Sequence, residues 1–303
     1  MVFDILFSAK KEGAIMLSQQ EIKDIFAESE AIITDDHFVY AKKADGWYHG
    51  SAYVNKDAIY PYTNSVSQLC GQIALYFARF EVATVVGPTV GAVNLSQWTT
   101  YWLNNTLAGW LNNTLSGGIR SITRAICADE EDVLTEQEFP CDMPNVCPKK
   151  PPISLEFESR GLVRIETSAF NGNLAVKKIK YTAKTGTRRV IKRGYDKYVK
   201  GKRCLIVEDI INTGITVTKT RDAILEAGGE VIGVACLCNR SGEKVNAGTL
   251  RVQELFSLLN VNMEMFREED CPICKEKGRG SVRLDLGKGK EFLTRLGLKP
   301  GDK

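Results

Sequence analysis

The sequence is short of histidine and has no long apolar run. Only His37 and His49 occur in 303 residues, which argues against a Ser-His catalytic triad and against a metal centre built on histidine. No run of about 18 apolar residues is present, and no basic N-terminal leader precedes an apolar segment and cleavage site. These absences predict neither a membrane span nor a secretory signal, so we expect a cytoplasmic protein.

The net charge of the chain is small, but its positive charges are unevenly distributed. The formal net charge of +3 is too small to indicate a nucleic-acid-binding protein, yet twelve Lys and Arg residues fall between Lys177 and Arg203. Such a patch needs an anionic partner or solvent. Its position just before the strongest motif in the chain favours a phosphate-rich small ligand over a solvated face, nucleic acid or a membrane surface.

The nine cysteines do not form a regular framework. Several lie inside apolar runs, as Cys204, Cys236 and Cys238 do, which is typical of buried reduced thiols. Cys271 and Cys274 form the motif CPIC, and with Cys141 and Cys147 they could complete a four-thiolate zinc site. An isolated C-x-x-C is a weak signal, and the alternative interpretation is a structural tail.

Apolar periodicity predicts an α/β fold. Ser18 and Glu21 form a capping box for a helix over 18–31, and 64–80 has the pattern of an amphipathic helix. Strand 82–86 leads through Gly87 and Pro88 into a further helix. The clearest unit is strand 202–207, loop 209–214, helix 216–227 and strand 231–238, which predicts parallel strands joined by a crossover helix.

The predicted organisation has three parts. Residues 1–63 form an N-terminal helix and hood region, 64–260 form the core, and 261–303 form a C-terminal tail. An irregular insertion at about 129–187 interrupts the core and contains a hairpin-like stretch, LVRIETSAFNGNLAVKKIKY. The repeated LNNTL between 103 and 115 is too short for a solenoid repeat.

The decisive stretch is CLIVEDIINTGITVTKT, residues 204–220. A buried strand delivers Glu208 and Asp209 to its carboxyl end, where α/β proteins bind ligands. The following loop offers backbone N–H groups at a helix start, with Gly214 permitting close approach, and a monophosphate fits there. Because two carboxylates would repel a phosphate, we expect them to face sugar hydroxyls instead. The alternative is an ordinary strand-to-helix junction capped by Thr213 or Thr216.

This stretch resembles the phosphoribosyl diphosphate signature of type I phosphoribosyltransferases. The similarity extends to segments that occur in the order found in orotate phosphoribosyltransferases: HGSAYVNKDAIYP, VVGPTVGAVNLSQW, KRGYDKYVKGKRCLIVEDI and CLCNR. Together they cover about two thirds of the chain. The resemblance implies a central, mostly parallel sheet flanked by helices, and transfer of a phosphoribosyl group from phosphoribosyl diphosphate (PRPP) to orotate. It also implies a homodimer.

The resemblance assigns roles to individual residues. It places Gly87 and Pro88 against pyrophosphate, Tyr53 and Val54 against the orotate ring, and Arg240 against an orotate oxygen. Asn212 stands where many relatives have a threonine that contacts the base. The predicted PRPP site comprises Glu208, Asp209, Asn212, Thr213, Gly214, Ile215, Thr216, Gly87 and Pro88.

The expected chemistry needs no covalent nucleophile. Departure of pyrophosphate leaves positive charge on the ribose, which Glu208 and Asp209 can stabilise while they bind its hydroxyls. The leaving group carries several negative charges, which implies Mg²⁺ held largely by the substrate and not by protein side chains.

One segment departs from the family pattern. Relatives carry a mobile loop with a lysine, whereas ICADEED has Glu130 at the matching position. Lys177, Lys178, Lys184, Arg188 or Arg189 could supply the missing charge, and no spacing selects among them. His49 and Lys56 lie in the ring-binding segment and are further candidates. The simpler interpretations are that His49 is a turn residue and that Lys56 is a surface lysine.

Two alternative functions stay open at this point. One is a phosphoribosyltransferase for another base, such as a purine. The other is a non-catalytic regulator that keeps the PRPP site and places the basic 177–203 stretch on nucleic acid, which the departure at Glu130 favours. No stacking aromatics or recognised nucleic-acid motif accompany that stretch, so we expect PRPP and orotate, and no nucleic acid or membrane, as partners.

Overall fold

The chain divides into two compact units. A computed structural model describes residues 16–40, 42, 46–105, 122–140, 162–170, 173–261 and 263–301, without the side chains of 136–140, 162–170 and 173–184. The first unit is formed by residues 1–129 and 191–303, and the second by residues 130–190. The predicted boundaries at 63 and 260 stay predictions.

A five-stranded parallel sheet forms the centre of the first unit. The five strands are β5 (Thr84–Pro88), β6 (Arg124–Pro140, of which 124–129 belong to this unit), β9 (Arg203–Ile211), β10 (Glu230–Asn239) and β11 (Leu255–Asn260). Their order in the sheet is β11-β10-β9-β5-β6.

Both faces of this sheet are covered, because side chains alternate along each strand. On β9, Leu205 and Val207 join one apolar core, while Cys204 and Ile206 join another on the opposite face. Four helices pack on the sheet: α1 (Gln19–Glu28), α2 (Thr63–Phe77), α3 (Val93–Asn105) and α4 (Ile215–Glu226). The first core is built with α1 to α3, and the second with α4.

Short strands from the two ends of the chain form smaller sheets in the same unit. β1 (Ile32–Ile33) pairs with β4 (Tyr53–Val54). A three-stranded antiparallel sheet has the order β12-β3-β2, from Phe266–Arg267, Tyr48–Gly50 and Phe38–Val39. The remaining helices are α5 (Ala247–Leu250), α6 (Pro272–Lys277) and α7 (Gly289–Leu296). The N-terminal segment therefore shares a sheet with the C-terminal tail.

The described residues of the second unit form paired β-strands. Residues 130–140 continue β6, and the strand order is β6-β8-β7. β7 (Leu162–Phe170) and β8 (Asn173–Val190) pair antiparallel, from Leu162↔Thr182 to Phe170↔Asn173. The predicted hairpin is confirmed, but the prediction that 129–140 is irregular is wrong, because β6 continues through it as a strand.

Local predictions in the first unit are confirmed, with shifted boundaries. The Ser18–Glu21 capping box is present in both directions. The predicted end of β9 at Val207 is wrong, because parallel pairing with β10 continues to Ile211↔Asn239. Likewise β5 includes Gly87 and Pro88, which pair with Cys127 and Ala128 of β6.

No helix in the described part of the chain is both long and apolar enough to cross a membrane. The LNNTL repeat, Cys141 and Cys147 fall largely or wholly outside the described residues, so the predictions about them are untested. Trp98 and Trp102 pack against the first core.

Candidate active site

The acidic pair lies on the central strand β9. Glu208 is 6% exposed and Asp209 is 4% exposed. The Asp209 amide donates to Oε1 of Glu208 at 3.1 Å, and the Ile210 amide donates to Oδ1 of Asp209 at 2.7 Å. Two adjacent carboxylates are therefore buried at the strand end, each with a backbone donor.

Two side chains from the N-terminal segment reach Asp209. Nζ of Lys56 lies 3.0 Å from Oδ2 of Asp209, and the Tyr60 hydroxyl lies 3.2 Å from the same oxygen. The Tyr60 hydroxyl also donates to the carbonyl oxygen of Gly91 at 2.6 Å. A cation and a hydroxyl donor thus converge on one carboxylate oxygen.

The turn after β5 closes over Asp209. A Cβ on Gly91 would collide with Oδ2 of Asp209, and one on Gly87 would collide with the Ala92 carbonyl oxygen. Both positions therefore favour glycine, because a side chain would need the space taken by the Asp209 carboxylate at Gly91 and by the Ala92 backbone at Gly87. Gly87 and Pro88 are buried, and the exposed residue of this turn is Val90.

The loop after β9 presents an open helix start. Asn212 and Thr213 are exposed, and Gly214 adopts φ +74°, with the side chains of Leu250 and Val245 filling the space that a Cβ would occupy. No side chain among the described residues caps α4, whose first backbone bond is from the Thr218 amide to the Gly214 carbonyl. The amides of residues 215–217 have no acceptor within the helix, which favours an anion there.

The predicted base-binding residues lie on neighbouring elements. Tyr53 stacks on Phe38 with ring centroids 5.3 Å apart, and Val54 is buried in β4. Arg240 follows β10, and its amide donates to the Ile211 carbonyl at 2.9 Å. That bond places Arg240 beside the start of the loop that carries Asn212.

Burial shifts the ionisation of this cluster. It raises the pKa of Glu208 to about 8, with the Asp209 carboxylate as the next cause. It also raises the pKa of Tyr60, again with Asp209 as the next cause. Burial by itself would lower the pKa of Lys56, but the charge of Asp209 raises it above its usual value. The Lys56 side chain consequently keeps its positive charge.

Comparison with known proteins identifies the family. The phosphoribosyl transferase domain model matches residues 174–263. An orotate phosphoribosyltransferase of Chlorobium phaeobacteroides is 30% identical over 148 residues, which cover 46% of this chain and 72% of the relative. The chain belongs to the orotate phosphoribosyltransferase family. The predicted family and its α/β fold with a mostly parallel sheet are thereby confirmed.

Two further orotate phosphoribosyltransferases align with most of this chain. The orotate phosphoribosyltransferase of Caldicellulosiruptor bescii is 25% identical over 252 residues, which cover 83% of this chain and 90% of the relative. A solved orotate phosphoribosyltransferase from Aeropyrum pernix has a TM-score of 0.40 at 14% identity, covering 91% of this chain and 98% of that one.

Glu130, which stands where the family pattern has a lysine, forms an ion pair in the second unit. Arg189, which is 8% exposed, lies 3.3 Å from Oε2 of Glu130, and Arg188 lies 3.2 Å from Oε2 of Glu131. Both arginines that could supply a loop cation are engaged by carboxylates of β6. Lys177, Lys178 and Lys184 lie where side chains are not described.

Sequence reasoning left two contributors unassigned. The sequence assigns no role to Tyr60, although it lies in the segment HGSAYVNKDAIYP, and it allows Lys56 to be an ordinary surface lysine. The spacing of four residues between them was the available signal, since it can bring two side chains to one face of a helical turn. Their shared partner, Asp209, could not be found from spacing.

Proposed function

We propose that this protein transfers the phosphoribosyl group of PRPP to N1 of orotate, giving orotidine 5′-monophosphate and pyrophosphate. The observation that carries the proposal is the buried Glu208–Asp209 pair, which stands directly before an uncapped helix start and is contacted by Lys56. Neighbouring sites for a sugar, a phosphate and an anionic leaving group are what this reaction requires.

The helix start binds the 5′-phosphate. Amides of residues 215–217 and the hydroxyls of Thr213 and Thr216 donate to its oxygens, and Gly214 lets the backbone turn closely around it. Ile215, the first residue of this helix, is 57% exposed. The phosphate thereby fixes the position of the ribose at the end of β9.

The acidic pair binds the ribose hydroxyls. Asp209 accepts a hydrogen bond from one hydroxyl, and Glu208 lies beside it. As the bond to pyrophosphate breaks, positive charge grows on the ribose, and a buried carboxylate stabilises it more strongly than water does. Lys56, with an exposed fraction of 44%, is open to solvent on one side and can share its charge with the departing pyrophosphate.

Magnesium suits the leaving group better than the protein. The carboxylate oxygens of Glu208 and Asp209 are the donor type that Mg²⁺ prefers, but Oδ2 of Asp209 already faces Lys56 at 3.0 Å. We therefore assign Mg²⁺ mainly to oxygens of PRPP. When bound, it neutralises charge on the pyrophosphate, while Gly87 and Pro88 support the turn that adjoins it.

Orotate is assigned to the space bounded by Tyr53, Val54, Asn212 and Arg240. Arg240 supplies a positive charge for an orotate carboxylate or carbonyl, and Tyr53 supplies a ring face. A homodimer and a cytoplasmic location belong to the same proposal. The family resemblance supports the first, and the free thiols of all seven cysteines in the described residues support the second.

The test is release of pyrophosphate by the purified full-length chain. We expect release that requires PRPP, orotate and Mg²⁺ together and that falls at least about 100-fold in Asp209→Asn, because an amide cannot stabilise positive charge as a carboxylate does. Glu226→Gln, an exposed acid on α4, serves as the matched control and should retain full activity.

The alternatives predict different outcomes. Release with hypoxanthine or adenine and not with orotate would assign another base. Intact PRPP binding by calorimetry, no turnover with any base, and RNA or DNA binding that weakens steeply with salt would favour the regulator. Calorimetry that shows no PRPP binding to the wild type would reject the proposed site altogether.

A further inference from the structure

Four side chains outside the acidic site converge in one buried cluster. His37, His49, Cys271 and Cys274 each offer one donor atom, and all four atoms lie within 4.8 Å of one another. The first three residues are at most 1% exposed, and Cys274 is half-buried. We call them the His2Cys2 cluster. The sequence argues against a metal centre built on histidine and pairs the cysteines with Cys141 and Cys147, which lie outside the described residues.

The separations within the cluster fit a tetrahedral ion. Nε2 of His37 lies 3.1 Å from Nδ1 of His49 and 3.6 Å from each cysteine sulfur, and Nδ1 of His49 lies 3.3 Å from the sulfur of Cys274. Zinc bonds of about 2.0 to 2.3 Å in tetrahedral geometry place ligand atoms about 3.3 to 3.8 Å apart. Four of the six separations are therefore already close to those of a zinc coordination shell, and all six are within 4.8 Å.

A hydrogen bond aims His37 into the cluster. Ser281 Oγ donates to the carbonyl oxygen of Gly278 at 2.7 Å, so it is left as an acceptor for Nδ1–H of His37, also at 2.7 Å. That arrangement places the proton of His37 on Nδ1 and leaves Nε2, which lies 3.6 Å from both sulfurs, as the unprotonated nitrogen. Partners that hold a metal-binding imidazole in one tautomer in this way are typical of metal sites.

The CPIC segment is folded as a chelating turn. Cys271 caps α6 at its N-terminus, and Pro272 occupies the first turn. The Cys274 amide donates to the sulfur of Cys271 at 3.4 Å, a bond that stabilises a thiolate. Both sulfurs consequently project from one helical turn toward the two histidines.

We propose that the His2Cys2 cluster binds one Zn²⁺ as a structural site. Two thiolates balance the charge of the ion, and two imidazoles complete four-coordination, which is the preferred donor set and number for zinc. Because four protein ligands close the shell and three of them are fully buried, no position is left for a reacting water. The site therefore serves structure and not catalysis.

The ion would connect distant parts of the chain. His37 and His49 belong to the β2–β3 hairpin, and the cysteines belong to α6, which follows β12 in the C-terminal tail. His49 and Cys274 are 225 positions apart, so the ion closes a long loop and contributes directly to folding. Phe38, next to His37, stacks on Tyr53, so the same site supports the segment assigned to orotate.

The first test measures metal in the tag-free, full-length protein purified under reducing conditions. We expect about one zinc per chain by mass spectrometry of the metal, following the four-ligand stoichiometry. Cys274→Ser and His49→Gln should each lose most of it. Cys204→Ser replaces a buried thiol outside the cluster and should keep it, as should Asp209→Asn, which separates this site from the transferase reaction.

A second measurement does not depend on a variant that folds. Wild-type protein stripped of zinc and titrated with Co²⁺ should develop the visible bands of tetrahedral cobalt with thiolate charge transfer, and Zn²⁺ should remove them. Wild type that holds no zinc after reconstitution and gives no such bands would overturn the proposal. So would zinc retained in Cys274→Ser at the wild-type level.

Discussion

The ammonium group of Lys56 lies 3.0 Å from Oδ2 of Asp209, although 153 positions separate the two residues. Asp209 is nearly fully buried, whereas the Lys56 side chain is 44% exposed. One end of this ion pair is therefore held in the core, and the other remains open toward any ligand at the strand end. Lys56 is a cation that the described residues place next to the acidic pair.

Lys56 can be tested by charge removal. In Lys56→Met we expect kcat/KM for pyrophosphate release to fall by about 100-fold to 1000-fold, as for loss of one preorganised group at a developing charge. Lys56→Arg should recover part of the activity because it keeps the charge. Lys290→Met, an exposed lysine on α7, is the control. Equal activities of Lys56→Met and this control would show that Lys56 is only a surface residue.

Gly214 should be required for both conformation and binding. Gly214→Ala places a Cβ at φ +74° and only 2.9 Å from Leu250, so we expect a stability loss of about 1 to 3 kcal/mol and a raised KM for PRPP. Gly297→Ala provides the same left-handed backbone, φ +67°, with no atom within 4 Å of the new Cβ. It should lose about 1 kcal/mol and keep its KM. Denaturant unfolding and initial rates measure the two effects.

Glu208 predicts a pH dependence of stability in the ligand-free protein. Burial and the adjacent Asp209 raise its pKa to about 8, above its value of about 4.3 in an unfolded chain. Between these two values the folded state binds the proton more tightly, so stability falls as pH rises from about 5 to 8. The Lys56 charge opposes this effect only in part.

Glu208→Gln removes that titration and should flatten the curve. We expect the variant to gain on the order of 2 kcal/mol relative to wild type between pH 5 and pH 8, while it loses transferase activity. Glu226→Gln is again the control and should follow the wild-type curve. Parallel pH curves for Glu208→Gln and wild type, from chemical denaturation, would mean that Glu208 ionises normally.

Ser281 offers a test of how the proposed zinc site is held. Ser281→Ala removes the acceptor for Nδ1–H of His37 without removing a ligand, so we expect zinc affinity to fall about 10-fold to 100-fold. Competition with a chromophoric chelator measures it. Ser29→Ala, which replaces a buried serine that also donates to backbone carbonyls, should leave affinity unchanged. Unaltered affinity in Ser281→Ala would contradict the orienting role.

Local patterns in the sequence were sufficient for the central elements. The capping box at Ser18, the amphipathic helix α2 and the unit of β9, α4 and β10 follow from periodicity and turn residues, because these depend on neighbours within a few positions. Strand ends do not follow from local patterns. β9 continues to Ile211 and β6 continues past Asp129, since pairing with an adjacent strand, and not local propensity, determines where a strand stops.

The sequence alone determined the family, the parallel α/β core, and the placement of Glu208, Asp209 and Gly214 on one strand and loop, because all of these are encoded in contiguous residues. Only the tertiary structure decided that Lys56 and Tyr60 meet Asp209 and that His37 and His49 meet Cys271 and Cys274. Such contacts join segments 149 to 237 positions apart. Their geometry depends on how sheets and helices pack, which no local spacing encodes.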